Sequence, residues 1–385
     1  AFNCLVLDAG KEMYAKDHPN VEVEVVVMGY ADVNQKITVN LAAGVSENLP
    51  NIITSEDADV PRYVNAFPGA FVDLYDATDF SKFAASKVMA ATYEGKVYGI
   101  PYDNGTGVLY YRKDYLEQAG YTQEDLETAT WDEYIEIGEA IYDQSGVLTA
   151  DIAKIDMPNI DLMLQSAGAW YFDENGDIYL KDNPAMIKAI ETYVKFANSE
   201  AVNSGVTGWD DWVGGINKGT SFSMPMAPWV EGVVKGGEAD QSGKWAIAPI
   251  PRLDYEGAVN GANQGGSAWM VLDVPGQEIA IDFLVTAFTN VGLYETILAD
   301  PVAIGTYLPA VESAAYQQAD PWFDGQQPNV LYMNQMEITQ PIDYTPYTIE
   351  AKDAVKAVLP EIFDGKDIVQ ALTEAEDAFN AAVGR

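Results

Sequence analysis

Flat rings beside short polar side chains recur along this chain: Trp170 and Tyr171, Trp209 and Trp212, the stretch "MAPWVEG" at 226–232, Trp269, Trp322, and "DYTPY" at 343–347. Next to Asp, Asn and Glu, such rings suit a neutral, polyhydroxylated ligand, whose C–H faces pack on an indole while its hydroxyls take directed hydrogen bonds. Each tryptophan taken singly reads equally well as core. Trp229 is the exception, because Pro228 before it and Glu231-Gly232 after it argue a loop.

Other chemistries find less support. A Ser-His-Asp triad, a Cys-His pair or a histidine-rich metal site would have to run through the one histidine, His18, which reads as a turn residue. The one cysteine, Cys4, falls in a helical pattern and reads as packing; alone it forms no intrachain disulfide. Neither glycine-rich phosphate motif occurs, and no cofactor is expected. "DENGD" at 173–177 has the first acidic spacings of a calcium loop, but Ile178 holds the position that needs glycine and Pro184 that of the bidentate glutamate, which predicts an Asn-Gly hairpin and no metal. Two carboxylates facing across a sugar would make a glycoside hydrolase. With 59 acidic residues, however, acid pairs at any spacing say little, and no catalytic residue is assigned.

Twenty-one Lys and Arg stand against those 59 acids, a formal charge of −38. A field of that sign repels nucleic acid and anionic lipid and favours a soluble monomer. The length of 385 residues with 48% hydrophobic residues predicts two lobes, at ~100–200 residues per domain. No uncharged apolar run of ~18 residues occurs. The chain does not begin with Met, which predicts a processed protein.

The positioning elements follow from periodicity. Leu5, Ala9 and Met13 mark a helix stripe stopped by "DHPN"; "VEVEVVV" at 21–27 reads as a strand; Val33, Ile37 and Leu41 mark a second helix closed at Gly44; "NIITS" at 51–55 reads as a buried strand. Alternating helix and strand predicts α/β architecture with a parallel sheet, and places the loop "SEDAD" at 55–59 beyond a strand's carboxyl end, where ligand crevices form. Strand-like Val108 to Tyr111 follows. Thr130 and Glu133 fit a capping box, Asn183-Pro184 an N-cap and N1 pair, with Ile187, Ile190 and Val194 on one helical side. Strands at 244–251 and 265–272 flank a Gly/Asn/Gln-rich hinge candidate at 256–264, and helices close the chain at 351–358 and 368–383.

The order of motifs is similar to that of a known family. "GKVYGIPYDNGTGVLYYRKDYLEQAG" with "TWDEYIEIGEAI", "KDHPNVEVEVV", "LAAGVSENLPNIITSEDAD", "LQSAGAWYFDENG", "GTSFSMPMAPWVEG" and "GTYLPA" together resemble the family 1 extracellular solute-binding proteins that feed carbohydrate ABC importers. One departure is that such proteins usually begin with a strand ahead of the "AFN" region, absent here. The resemblance implies a two-lobed type II periplasmic-binding fold, each lobe a mixed sheet flanked by helices: 1–108 with 265–310, and 109–264 with 311–385. Hinge crossovers are implied near 108–111, 260–265 and 309–313. It implies a neutral mono- or oligosaccharide held in the cleft by hinge closure and passed to the permease subunits, with no catalysis. It also implies an extracytoplasmic location, lipid-anchored at the surface or periplasmic. Asn3 stands where a lipobox needs a small residue, so a lipidated cysteine would lie upstream of Cys4.

The ligand contacts implied are Trp229 as the stacking ring and Asp57 in the first ligand loop, with Glu56, Asp103, Asn104, Trp170, Glu231, Asn263, Gly265 and Tyr347. Asp103 and Asn104 would offer hydroxyl partners from the loop "YDNGTG", while Gly105 and Gly107 would let the backbone approach. A glycoside hydrolase on the same loops and a polyamine binder of the same fold, exploiting the acidity, stand as alternatives.

Overall fold

In the computed structural model, which describes residues 2–47, 49–237, 239–298 and 304–384, the first helix, Phe2–Tyr14, forms where its apolar spacing predicts but turns a different face inward. Val6, Gly10 and Tyr14 are buried while Leu5 is 53% exposed. The reason is Gly10: a Cβ there would stand 3.2 Å from Ala287, so the helix lies close against the Gln277–Phe288 helix along that row. Tyr14 sets its ring edge on Phe283 and donates its hydroxyl to Asp282 at 2.5 Å.

Six strands have three or more residues among those described: β1 (Ile52–Glu56), β2 (Gly99–Pro101), β3 (Val108–Arg112), β4 (Ser223–Met226), β5 (Trp245–Pro249) and β6 (Ser267–Val271). The chain divides into two units. Unit 1 is Ala1–Asn104 with Gly265–Gln317, and unit 2 is Gly105–Gln264 with Gln318–Arg385. Chain therefore passes between units three times, the first time within the "YDNGTG" loop and the second just ahead of β6.

Unit 1 carries the sheet β1-β6-β2, and unit 2 the sheet β4-β3-β5. The expected parallel sheet is not what forms: β6 is antiparallel to both neighbours, pairing Ile52 with Val271 and Ile100 with Trp269, and β3 is antiparallel to β4 and β5. Only the two-residue ladder of Ala150–Asp151 with Val202–Asn203 is parallel among the described strands. Each central strand, β3 or β6, is buried along its whole length, as a strand covered on both faces must be. The extended segment at 21–27 is no strand, correcting the reading of its alternation. No ladder partner lies beside it among the described residues, and Val26 and Val27 stand 63% and 61% exposed. Alternation makes a chain extended; only a neighbour makes it a strand.

The local signals of unit 2 hold. In the Trp131–Ser145 helix the Glu133 N–H donates to Thr130 Oγ1 at 3.1 Å, and the Thr130 N–H donates to Glu133 Oε2 at 2.7 Å. The Asn183 side chain accepts from the N–H groups of Ala185 and Met186, opening the Pro184–Asn198 helix. Residues 173–177 make the hairpin: Phe172 bridges Ile178, Gly176 has φ +75°, and Asp173 accepts from the N–H groups of Asp177 and Asn175, which lowers its pKa. Helices Thr348–Phe363 and Ile368–Val383 close the chain. Losing one cap is a modest change, and Thr130→Ala is expected to cost about 1 kcal/mol in urea unfolding without altering the far-ultraviolet spectrum.

Candidate functional site

Trp229 sits on a one-turn 3₁₀ helix, Pro228–Val230, whose other two residues are buried, so the turn is pinned while the indole stands 44% exposed. Proline at the first position presets the backbone for that turn. Beneath it, the next residue but one is fixed on both oxygens. Glu231 Oε2 accepts from the Tyr332 hydroxyl at 2.8 Å, which in turn lies 2.8 Å from the Tyr110 hydroxyl on β3. Glu231 Oε1 meets Lys235 Nζ at 2.5 Å, and the same ammonium reaches Asp320 Oδ2 at 2.5 Å. Burial raises the pKa of both tyrosines, so they stay neutral donors. Glu231, which the sequence offers as a ligand contact, is thus placed 6% exposed in a closed network that anchors the Trp229 turn to the central strand. Beside Trp229 lies the indole of Trp209, 54% exposed.

The other candidates of unit 2 are less open. Trp170, offered by the resemblance as a ligand contact, belongs to the core, 8% exposed, with ring edges against Tyr171 and Tyr344. Asn263, 8% exposed, donates its N–H to Gln165 Oε1 at 2.7 Å and bridges Thr106. Tyr347 is half-buried at the start of the Thr348–Phe363 helix, its ring edge on Phe379. Gly107 is a packing glycine: a Cβ there would lie 2.8 Å from Leu162, so its space is filled by the protein's own interior.

Unit 1 gathers a buried charge cluster. Asp57 follows β1, Lys87 lies on the Ala85–Ala90 helix, and Asp103 follows β2. The Lys87 ammonium, 1% exposed, pairs with Asp57, whose own N–H donates to the Gly266 carbonyl at 3.2 Å. Asp103 accepts the Ser267 N–H. Burial pushes the Asp103 carboxyl up to about 7 against the pull of Lys87, with Asp57 pushing the same way; burial likewise raises Asp57, against Lys87. Gly266 adopts φ +103°, and a side chain there would run into Lys87, so glycine is needed on both counts. Gly265 has φ +81°, Asn104 is buried with its N–H on the Ile304 carbonyl at 2.7 Å, and Glu56 is exposed, its N–H held by the Tyr30 hydroxyl at 2.8 Å. Asp57 and Asp103 are therefore brought together around Lys87, which sequence reasoning missed; Gly265 only precedes Gly266, the glycine that lies against that lysine. The pattern "FAASKVMA" gives no sign that its lysine is buried.

Comparison with known proteins places the chain as a whole. A protein family described as bacterial extracellular solute-binding protein matches residues 11–324. A lactose-binding protein of Rhizobium radiobacter is 37% identical over 378 residues, spanning 98% of this chain and 89% of that protein. An arabinooligosaccharide-binding protein of Bacillus subtilis is 28% identical over 286 residues, 71% of this chain and 63% of that one. Among solved structures, the sugar-binding protein MalE of Xanthomonas citri superposes with a TM-score of 0.84 at 15% identity, covering 100% of this chain and 95% of that one. The galacto-N-biose-/lacto-N-biose I-binding protein of a Bifidobacterium longum ABC transporter gives 0.77 at 18%, covering 97% and 91%. At these identities the structural likenesses show the two-lobed α/β fold.

Proposed function

Because the chain belongs to the bacterial extracellular solute-binding proteins, we propose that it binds a neutral oligosaccharide outside the cytoplasm and delivers it to the permease subunits of an ABC importer, turning nothing over. The observation that carries this reading is the half-open Trp229 indole on a turn anchored through Glu231, a rigid flat face of the kind a sugar ring covers. Relatives that bind lactose and arabino-oligosaccharides set the substrate class. The protein acts as a monomer, either lipid-anchored or free, its charge of −38 keeping it dispersed.

The hydrolase reading needs a carboxylate pair free to act on a glycosidic bond. Glu231 is instead locked to Lys235 and Tyr332, and Asp57 to Lys87. A polyamine ligand would pair its ammonium groups with carboxylates, and of the candidate acids Glu231 and Asp57 are already paired with Lys235 and Lys87. Calorimetry with lactose, arabinotriose, maltotriose and spermidine is the test. At least one sugar is expected to bind tightly and to be recovered intact after long incubation, with no response to spermidine. Fragments would reassign the protein as an enzyme, and silence from every sugar would remove the reading altogether.

A further inference from the structure

Trp209 gives the exposed aromatic surface of unit 2 a second ring. It opens the Trp209–Lys218 helix, directly after the extended Gly208. Its indole and that of Trp229 lie 23° from parallel with centroids 6.1 Å apart, within the ~4.5–7 Å span of an offset stack. Rings stacked with an offset are displaced sideways, so each keeps part of a face open, and both remain about half exposed despite touching. Trp212, 8% exposed, leans on Trp209 at 5.2 Å and supports it from the buried side. Asp210 and Asp211, both exposed, follow Trp209 in the chain and supply acceptors for hydroxyl donors.

Resting on the sugar-binding reading above, we propose that Trp209 is a specificity-determining contact: the second step of a two-ring platform that takes one sugar unit on each indole and selects ligands of two or more units. One exposed aromatic ring is ordinary on a protein surface. Two parallel indoles, stiffened from behind and left half open, forgo apolar burial that a ligand laid along both restores. Trp229, tied through Glu231 to the core, holds the first unit, and a monosaccharide is complete there. Only a longer ligand reaches Trp209. The neighbouring carboxylates turn anionic sugars away.

The unaltered protein, Trp209→Ala, Trp209→Phe and Trp229→Ala are titrated with lactose, arabinotriose and maltotriose, and with galactose, arabinose and glucose. Trp209→Ala is expected to weaken the tightest oligosaccharide on the order of tenfold and to leave its constituent monosaccharide unchanged, while Trp209→Phe recovers most of the loss. If the monosaccharide does not bind the unaltered protein, the oligosaccharide loss with Phe recovery supports the assignment. Equal losses for both ligands, or no loss, overturn the second step and leave the Trp229 reading standing if Trp229→Ala still weakens binding. No effect of Trp229→Ala, or no binding by any sugar of the set, takes down that reading and this inference with it. Trp209 is exposed, so its variants keep the melting temperature of the unaltered protein, which separates a lost contact from a lost fold.

Discussion

Replacing Lys87 by Met lowers the unfolding free energy of unit 1 by about 3–5 kcal/mol at pH 8, and by distinctly less at pH 5. The ammonium is 1% exposed, and it is the positive charge set against the carboxylates of Asp57 and Asp103. Removing it leaves buried acids with no counterion, the costly way to break an internal ion pair. The pH dependence fixes the cause. Asp103 has its carboxyl raised from the usual 3.8 to about 7 by burial, so folding favours the protonated form. Its stabilising contribution is complete below 3.8 and is lost as pH rises through about 7. Lys87 pulls both carboxyls downward. Without it they titrate higher, and the decline in stability runs on into alkaline pH. Urea unfolding of both proteins at pH 5 and pH 8 measures this. A deficit of equal size at the two values would mean lost packing of the lysine stem, and the electrostatic account of the cluster would fail.

That cluster also shows where reading a sequence stops. Thr130 with Glu133, Asn183 with Pro184, and the Asn175-Gly176 turn are legible because each signal and its answer lie within a few residues, and the structure holds all three. The apolar runs of β3 and β6 are legible for the same reason. Their partners are not, because β6 completes the sheet of unit 1 only after the chain has traversed unit 2, and nothing local in "SAWMV" says which strand it meets or in which sense. Residues 21–27 show the converse: strong local preference with no ladder to join. The face of the first helix was decided by the absence of a side chain at Gly10, which an apolar count passes over.

Among site residues, the openness of Trp229 was legible but the loop was not: Pro228 starts a 3₁₀ turn, and Glu231-Gly232, which read as loop, begins the helix Glu231–Lys235. Glu231, Asp57 and Asp103 were each visible as acids near a loop, but their partners Tyr332, Lys87 and Ser267 lie 101, 30 and 164 residues away in the chain. Charge type is written in the sequence; whether a charge is spent on the protein itself is not. Trp170 illustrates the same limit for rings, since only packing against Tyr171 and Tyr344 distinguishes a core indole from an open one.

Trp229→Ala is expected to weaken binding of the tightest oligosaccharide by about 2–4 kcal/mol, roughly 30- to 900-fold in Kd, with little change in stability. The size follows from rigidity. The indole gains its ligand at small entropic cost, because Pro228 and Val230 are buried on either side and Glu231 ties the turn to Tyr332 and Lys235. The unchanged stability follows from exposure: at 44% open, the ring contributes little to the core that Trp131 and Trp245 fill. Glu231→Gln separates orientation from contact. It leaves the ring in place but weakens its anchor, so it should reduce affinity in the unaltered background and do almost nothing once Trp229 is Ala. Calorimetry of the two single variants and the double variant completes the cycle. Additive losses would show Glu231 touching the ligand itself, and a Trp229→Ala loss below about threefold would take the indole out of the binding surface.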